Sequence, residues 1–277
     1  MADPDPGASG SSAYDPNDYV DFAHRLANAA GAVVRKYFRA RVAVEDKDDA
    51  SPVTVADREA EASMRALIAI HHPAHGILGE EEGAERDDAD LVWVLDPIDG
   101  TKAFIAGKPT FVTLIALVRN GTPVLGVIDQ PIARERWIGV AGSATLFNGE
   151  AVSPRACANL DQAILNTTSP DLFTGDDARA FRRLSAAVKD TLYGGDGYAY
   201  GLLAGGFIDL VAEADLKPYD FCALVPVVEG AGGVMTDWRG QRLTVKSDGR
   251  VVAAGDRAMH ELALDALDAT GVSRERA

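Results

Sequence analysis

The chain of 277 residues carries 42 Asp and Glu against 27 Lys and Arg, and its net charge of −15 argues against the clustered positive footprint of a nucleic-acid binder. Apolar residues at 47% and charged residues at 25% are ordinary for a soluble globular protein with one large domain or two packed halves. No apolar run approaches the roughly 20 residues that cross a bilayer, so no membrane partner is expected.

Residues 1–16 are rich in Asp, Pro, Gly and Ser, with neither a basic start nor an apolar core. They read as a disordered leader rather than a signal peptide. Helical spacing begins at Asn17, the expected N-cap, and puts Val20, Ala23, Ala27, Ala30 and Val34 on one face. Val42 to Glu45 reads as a short strand and Asp46 to Ala50 as a charged loop. A second helix runs from about Val55 to His72, with Ala60, Met64, Leu67 and Ile68 inward, until Pro73 stops it. A short strand then enters Gly79-Glu80-Glu81, and Leu91 to Leu95 forms a buried strand. Phe111 to Val118, Pro123 to Ile128 and Arg134 to Val140 follow as an antiparallel meander, punctuated by Asn120-Gly121 and Gln130-Pro131.

The second half alternates. A strand at Ala163 to Asn166 precedes helices over Asp177 to Lys189 and Tyr198 to Ala204, then a strand over Phe207 to Ala212. A helix over Asp220 to Ala231, strands at Val234 to Thr236 and Val251 to Ala254, and a helix from Arg257 complete it. The pattern predicts a layered α+β/α/β sandwich. An antiparallel-sheet half over residues 17–150 packs on a smaller α/β half over 151–277, with a site where they meet. Cys157 and Cys222, far apart and the only cysteines, fit a reducing, cytoplasmic compartment.

The densest chemistry lies in Trp93-Val94-Leu95-Asp96-Pro97-Ile98-Asp99-Gly100-Thr101. Asp96 and Asp99 stand where the strand ends, and Pro97 and Gly100 favour a tight turn between and after them. Such a turn aims two carboxylates and a carbonyl at one point, a donor set suited to a hard cation such as Mg²⁺. Backbone N–H groups at Gly100 and Thr101, with the Thr101 hydroxyl, suit a phosphate beside that metal. Three more acidic segments accompany it: Asp57 in the first turn of the second helix, Gly79-Glu80-Glu81, and Asp220 after Leu216-Lys217-Pro218-Tyr219. Singly, each is explained as a helix cap or a solvated loop. His71, His72 and His75 read as solvated helix-end histidines. No Ser or Cys stands out as a nucleophile with a His partner.

In this order and at these separations the motifs resemble the inositol-monophosphatase-like family of Mg²⁺-dependent, Li⁺-sensitive phosphomonoesterases, over about residues 17–270. The resemblance is carried by Val53-Thr54-Val55-Ala56-Asp57, Gly79-Glu80-Glu81, Asp96 to Thr101, and Asp220 followed by Glu229-Gly230-Ala231-Gly232-Gly233. It implies one Mg²⁺ on Glu80, Asp96 and the Ile98 carbonyl, and a second on Asp96, Asp99 and Asp220. A third, weaker ion would rest on Glu80 and waters, and Mn²⁺ would substitute in part. Asp57, Thr101 and Glu80 would form the catalytic set, with Gly100 and Thr101 binding phosphate. The implied reaction is in-line attack by a metal-activated water between cations roughly 3.5–4 Å apart, without a phosphoenzyme. The resemblance also implies a homodimer.

Within the family, Ser51-Pro52-Val53-Thr54 and Tyr219-Asp220 depart from the inositol monophosphatase pattern. Gly195 to Gly201 and Leu216 to Pro226 are similar to the histidinol-phosphate phosphatase branch. L-Histidinol phosphate carries an ammonium and an imidazole, for which Glu213 and Asp196 are the candidate contacts. A surface residue after a strand explains Glu213 equally well, and helix packing explains Tyr198 and Tyr200. The leading expectation is therefore a histidinol-phosphate phosphatase of histidine biosynthesis. Inositol phosphate, a sugar phosphate or a 3′-phosphonucleotide are alternative substrates. An RNA-polymerase-associated regulator with vestigial activity is the alternative of another class, disfavoured by the complete metal set and the acidity.

Overall fold

The computed structural model describes residues 14–40, 44–46 and 52–268. The leader read over 1–16 lies outside the described residues except for 14–16, of which Tyr14 makes ring contacts. Tyr14 meets the Tyr19 ring at 6.2 Å and lies under the Arg119 guanidinium at 4.1 Å. The first cap is Asp15 rather than Asn17. Its Oδ1 accepts the Asn17 N–H at 2.9 Å and opens a 3₁₀ turn over Pro16–Tyr19, where Pro16 pre-sets the backbone. Helix α1 (Val20–Tyr37) follows, then the antiparallel pair β1 (Val44–Asp46) and β2 (Pro52–Thr54). The expected strand from Val42 and the loop to Ala50 fall partly outside the described residues, as does Ser51.

Helix α2 (Val55–His71) opens on a capping box at Thr54. Strands β3 (Gly76–Gly79), β4 (Gly83–Glu85) and β5 (Leu91–Asp99) lead to the short helix α3 (Thr101–Ile105). Strands β6 (Val112–Arg119), β7 (Thr122–Gln130), β8 (Glu135–Val140), β9 (Leu146–Phe147) and β10 (Glu150–Ala151) complete the first half. The eight main strands lie in the order β10-β9-β8-β7-β6-β5-β3-β4, antiparallel except for β3 against β5.

The second half comprises β11 (Ile164–Thr167), α4 (Gly175–Ala187), β12 (Asp190–Tyr193), α5 (Asp196–Ala204) and β13 (Leu210–Glu213). It ends with α6 (Pro218–Phe221), α7 (Leu224–Gly230), β14 (Val234–Thr236), β15 (Val251–Ala254) and α8 (Arg257–Leu267). Its sheet runs β12-β11-β13-β15-β14, with β11 parallel to both neighbours and β15 antiparallel to its own.

Alternation along the strands sorts apolar side chains into layers. Trp93, Leu95, Ile115, Leu117 and Val127 face α1 and α2. Val92, Val94, Leu114 and Ala116 face the other way, onto α5 and α7, and these helices also pack on Val211, Val251 and Ala253 of the second sheet. The far face of that sheet buries Leu165, Leu210 and Val252 against α4 and α8. The architecture is therefore helix, sheet, helix, sheet, helix, the layered sandwich expected from the sequence.

Two features that place the site differ from the sequence reading. Strand β5 does not stop at Leu95. It continues to Asp99 through an irregular register between Asp96 and Asp99, and the Thr113 hydroxyl secures the Pro97 carbonyl at 2.8 Å. The expected turn is thus a bulge that re-aims side chains within a strand. The single helix expected over Asp220 to Ala231 is two, broken at Cys222 and Ala223. Pro226 has no N–H for the carbonyl of Cys222 and its ring crowds that carbonyl, so the helix must restart. The broken segment lies flat on the first sheet. A Cβ on Gly126 would stand 1.9 Å from the Ala223 oxygen, and one on Gly139 2.3 Å from the Pro226 oxygen. These close approaches bring Asp220 down to the end of β5.

Candidate active site

Asp96, Asp99 and Asp220 each turn one carboxylate oxygen toward a common point, with the three atoms within 4.8 Å of one another. One oxygen of each is tied to the backbone. Asp96 Oδ1 accepts the Ile98 N–H at 3.0 Å, and Asp220 Oδ2 accepts the Lys217 N–H at 2.6 Å. Asp99 Oδ2 accepts the Gly197 N–H at the start of α5. The backbone bond fixes each side chain and still leaves carboxylate lone pairs for a ligand. Capping and ligation are therefore not rival roles for Asp220.

Asp57 repeats the device. Its Oδ2 accepts the Thr54 N–H at 2.8 Å and the Thr54 hydroxyl at 2.6 Å. Its Oδ1 faces the Thr101 hydroxyl at 3.5 Å, while that hydroxyl donates to the Ile98 carbonyl at 3.1 Å. Gly100 sits between, in the left-handed region with φ 91°. A Cβ there would lie 2.8 Å from Asp196 Oδ2 and 3.2 Å from the Phe111 Cα, so only glycine fits. The Glu80 N–H donates to the Leu95 carbonyl at 3.1 Å, and its side chain stands against Asp96.

Burial raises the carboxylates of this cluster, and they raise one another. Burial, then Glu80, Asp99 and Asp220, hold the Asp96 carboxyl well above the usual carboxylate range. Burial, then Asp196 and Asp220, do the same to Asp99. Burial pushes Asp220 up to about 7, and raises Asp57 as well. Carboxylates this close cannot all ionise in a low-dielectric setting unless a cation joins them. Every donor is a hard oxygen, which fits Mg²⁺ and does not fit a soft metal.

Beyond Asp99 the cluster opens into a cavity of about 180 Å³, lined on the second-half side by Thr168, Asp196, Tyr200, Glu213 and Asp215. Glu213 ends β13 and is only 3% exposed, so it is no surface residue. Its Oε1 accepts the Thr168 N–H at 2.8 Å and the Thr168 hydroxyl at 2.6 Å. Burial raises its pKa to about 7 and that of Asp196 to about 6. Tyr200 is fully buried in the core as its packing reading expects, and its hydroxyl lies beside Glu213 at the cavity wall.

A family model described as the inositol monophosphatase family matches residues 15–271. The chain belongs to the inositol monophosphatase family. It is 55% identical to the protein named "Bifunctional phosphatase IMPL2, chloroplastic" of Arabidopsis thaliana, over 88% of this chain and 73% of that one. It is 34% identical to a "Histidinol-phosphatase" of Chlorobaculum parvum, over 84% of this chain and 91% of that one. Among solved structures, an inositol monophosphatase from Zymomonas mobilis superposes with a TM-score of 0.84 at 52% identity, covering 92% of this chain and 99% of that one.

Phosphatases of the inositol monophosphatase family are metal-dependent, and the acidic cluster here suits that chemistry. Sequence reasoning missed two residues that shape the site. Glu61, fully buried on α2, accepts the N–H groups of Glu81 at 2.8 Å and Glu82 at 3.0 Å and pairs with Arg65 at 2.8 Å. It thereby pins the loop carrying Glu80. Its signal was its place four residues after Asp57, on one helix face. Thr168 gave no comparable signal, because only the fold brings it to Glu213.

Of His71, His72 and His75, only His71 is exposed as expected. The His72 and His75 rings stack at 4.7 Å, and the Trp93 indole donates to His75 Nδ1 at 3.1 Å. Burial pushes His75 down to about 4, so it is a neutral packing group. Tyr198 packs edge-on against Trp137 at 5.6 Å, and its hydroxyl donates to Glu135 at 2.7 Å. No helix among the described residues is long and apolar enough to cross a membrane.

Proposed function

We propose that the chain is a Mg²⁺-dependent phosphomonoesterase acting on L-histidinol phosphate. The observation that carries this reading is the cavity beside the carboxylate cluster, which Asp196 and Glu213 line with no Lys or Arg among the lining residues, while Asp215 at its rim is paired with Lys217 at 2.8 Å. An ammonium and an imidazole entering there would meet carboxylates already held in place, and a neutral polyol would not use that charge. The name carried by the Chlorobaculum relative supports the same substrate. The likeness to the Zymomonas protein, described as an inositol monophosphatase, favours inositol phosphate as the second reading.

Glu80, Asp96, the Ile98 carbonyl, Asp99 and Asp220 would hold two or three Mg²⁺ ions, which would neutralise phosphate charge and acidify water. The remaining work falls to the chain. The backbone N–H groups at Gly100 and Thr101 would steady phosphate oxygens as charge builds up. The Thr101 hydroxyl lies between two acceptors, Ile98 O at 3.1 Å and Asp57 Oδ1 at 3.5 Å. Turned to Asp57, it would accept a hydrogen bond from the attacking water, and the Asp57 carboxylate would take the proton through it. Asp196 and Glu213 would bind the cationic end. Both cysteines are free, and we place the chain in a reducing compartment, the cytoplasm.

The test is Glu213→Gln. It removes the charge and keeps an acceptor for Thr168. Its kcat/KM for histidinol phosphate should fall by the equivalent of about 1–3 kcal/mol, with little change for an aryl phosphate that offers only its phosphate. Equal losses on both substrates, or wild-type preference for inositol 1-phosphate, would reject the histidinol reading and leave the phosphatase intact.

A further inference from the structure

A second cleft, of about 560 Å³, lies between α1, the ends of β7 and β8, and the β9–β10 turn, and shares no lining residue with the acidic cavity. Its character is opposite to that of the chain. Arg35, Arg134 and Arg136 line it, with Asp129 as its sole carboxylate, in a molecule of net charge −15.

The three arginines are not equivalent. Arg136 is a structural post. Its Nε donates to Asp129 at 2.7 Å, Nη2 to Asn28 at 2.9 Å, and Nη1 meets His24 Nδ1 at 3.0 Å. The Asp129–Arg136 pair is internally neutralised, and burial, then Arg136, keep His24 below its ordinary pKa and so uncharged at neutral pH. Arg35 and Arg134 are exposed and have no hydrogen bond or ion pair among the described residues. Arg35 also lies near enough to Asp129 to favour its ionised form, but one carboxylate already held by Arg136 cannot balance three guanidiniums, and a net excess of two positive charges remains at one concave site.

The mouth is also built before any ligand arrives. Arg134 holds φ 60°, a left-handed backbone that arginine seldom adopts. The turn is fixed from below by the fully buried Gln130, whose Oε1 accepts the N–H groups of Ile132 and Ala133, both at 2.7 Å. Arg35 reaches the cleft because Gly31 has no side chain. A Cβ there would lie 3.1 Å from Arg35 Nη1 and 3.4 Å from Asp129 Oδ2. Two unpaired guanidinium forks on a rigid rim match phosphate oxygens, and Pro131, Ile138 and Leu146 supply an apolar wall for an organic body. The volume suits a small metabolite rather than a bare ion.

We propose that this cleft is a binding site for a small phosphate-bearing anion, separate from the hydrolytic centre. Inorganic pyrophosphate is the probe, titrated calorimetrically into full-length protein stripped of divalent metal and dialysed free of chelator. In that form the carboxylate cluster repels anions. One saturable site per chain is expected. Arg35→Gln and Arg134→Gln should each weaken it roughly tenfold or more with little change in melting temperature, because neither side chain makes a hydrogen bond or ion pair among the described residues. Asp220→Asn should leave it unchanged. No saturable binding, affinity indifferent to both arginine changes, or affinity that moves with Asp220→Asn instead would overturn the proposal.

Discussion

Asp96 faces Glu80, Asp99 and Asp220 at once, and its Oδ1 is already engaged by the Ile98 N–H. Asn at this position keeps an oxygen for that N–H and removes one charge from the cluster. Two effects of opposite sign should follow from Asp96→Asn. Turnover should drop by more than about a hundredfold, beyond what loss of a supporting partner costs at a metal site. The melting temperature of the metal-free protein should rise, because a mutually repelling buried carboxylate has gone. Steady-state kinetics and calorimetry in chelator check both halves. Near wild-type turnover would mean that the cluster is not the reactive centre. At this scale much was readable from sequence. Asp96, Asp99 and Asp220 stood out as carboxylates at strand and helix ends, where one oxygen can be spent on the backbone. What spacing could not show was which N–H each would take, above all Gly197 for Asp99, ninety-eight positions away.

Among elements, α2 does the most for the site, presenting Asp57 to Thr101 and Glu61 to the loop after β3. Glu61→Gln should leave the helix in place, but its amide NH₂ accepts nothing, so the N–H of either Glu81 or Glu82 loses its acceptor. The loop then loosens, and affinity for Mg²⁺ should weaken by about 10–100-fold with a smaller effect on kcat at saturating metal. Titrating activity against Mg²⁺ separates the two, and unchanged affinity would show that the loop needs no pin. Helix α2 was legible because Pro73 ends it and apolar residues recur at helical spacing, whereas its Thr54 cap went unread. The break between α6 and α7 was not, since Asp220 to Ala231 has the same spacing. Pro226 and the close contact with Gly126 and Gly139 decide it, and the contact is tertiary. Strand β12 was missed for another reason. It lies at a sheet edge with Leu192 and Tyr193 exposed, so no alternation marks it.

For the molecule as a whole, the raised carboxyls couple stability to pH. Glu213 and Asp220 move from 4.5 and 3.8 to about 7 through burial. Their protons are held more tightly in the folded chain. The stabilisation they give is complete below their unfolded values and disappears as pH rises through about 7. Metal-free protein should therefore melt at a lower temperature at pH 8 than at pH 5.5, and Asp220→Asn should flatten that slope. Mg²⁺ binds the ionised carboxylates, so the melting temperature it adds should grow across the same window. Scanning calorimetry at several pH values, with and without Mg²⁺, reads both. A metal increment that does not depend on pH would contradict the linkage.

The cavity beside the cluster has one further consequence, which concerns how such a protein can change. Asp57, Glu80, Asp96, Asp99, Gly100 and Thr101 all belong to the first half, whereas every residue lining the acidic cavity except Asp99 lies beyond position 165. Under the reading proposed above, and apart from Asp220, which the second half lends to the metal cluster, the residues that break the phosphate ester and those that choose what is attached to it are written in separate stretches of chain. Drift in the later stretch can then redirect the protein to a new ester while hydrolysis stays intact, a route by which one ancestral scaffold could serve unrelated pathways.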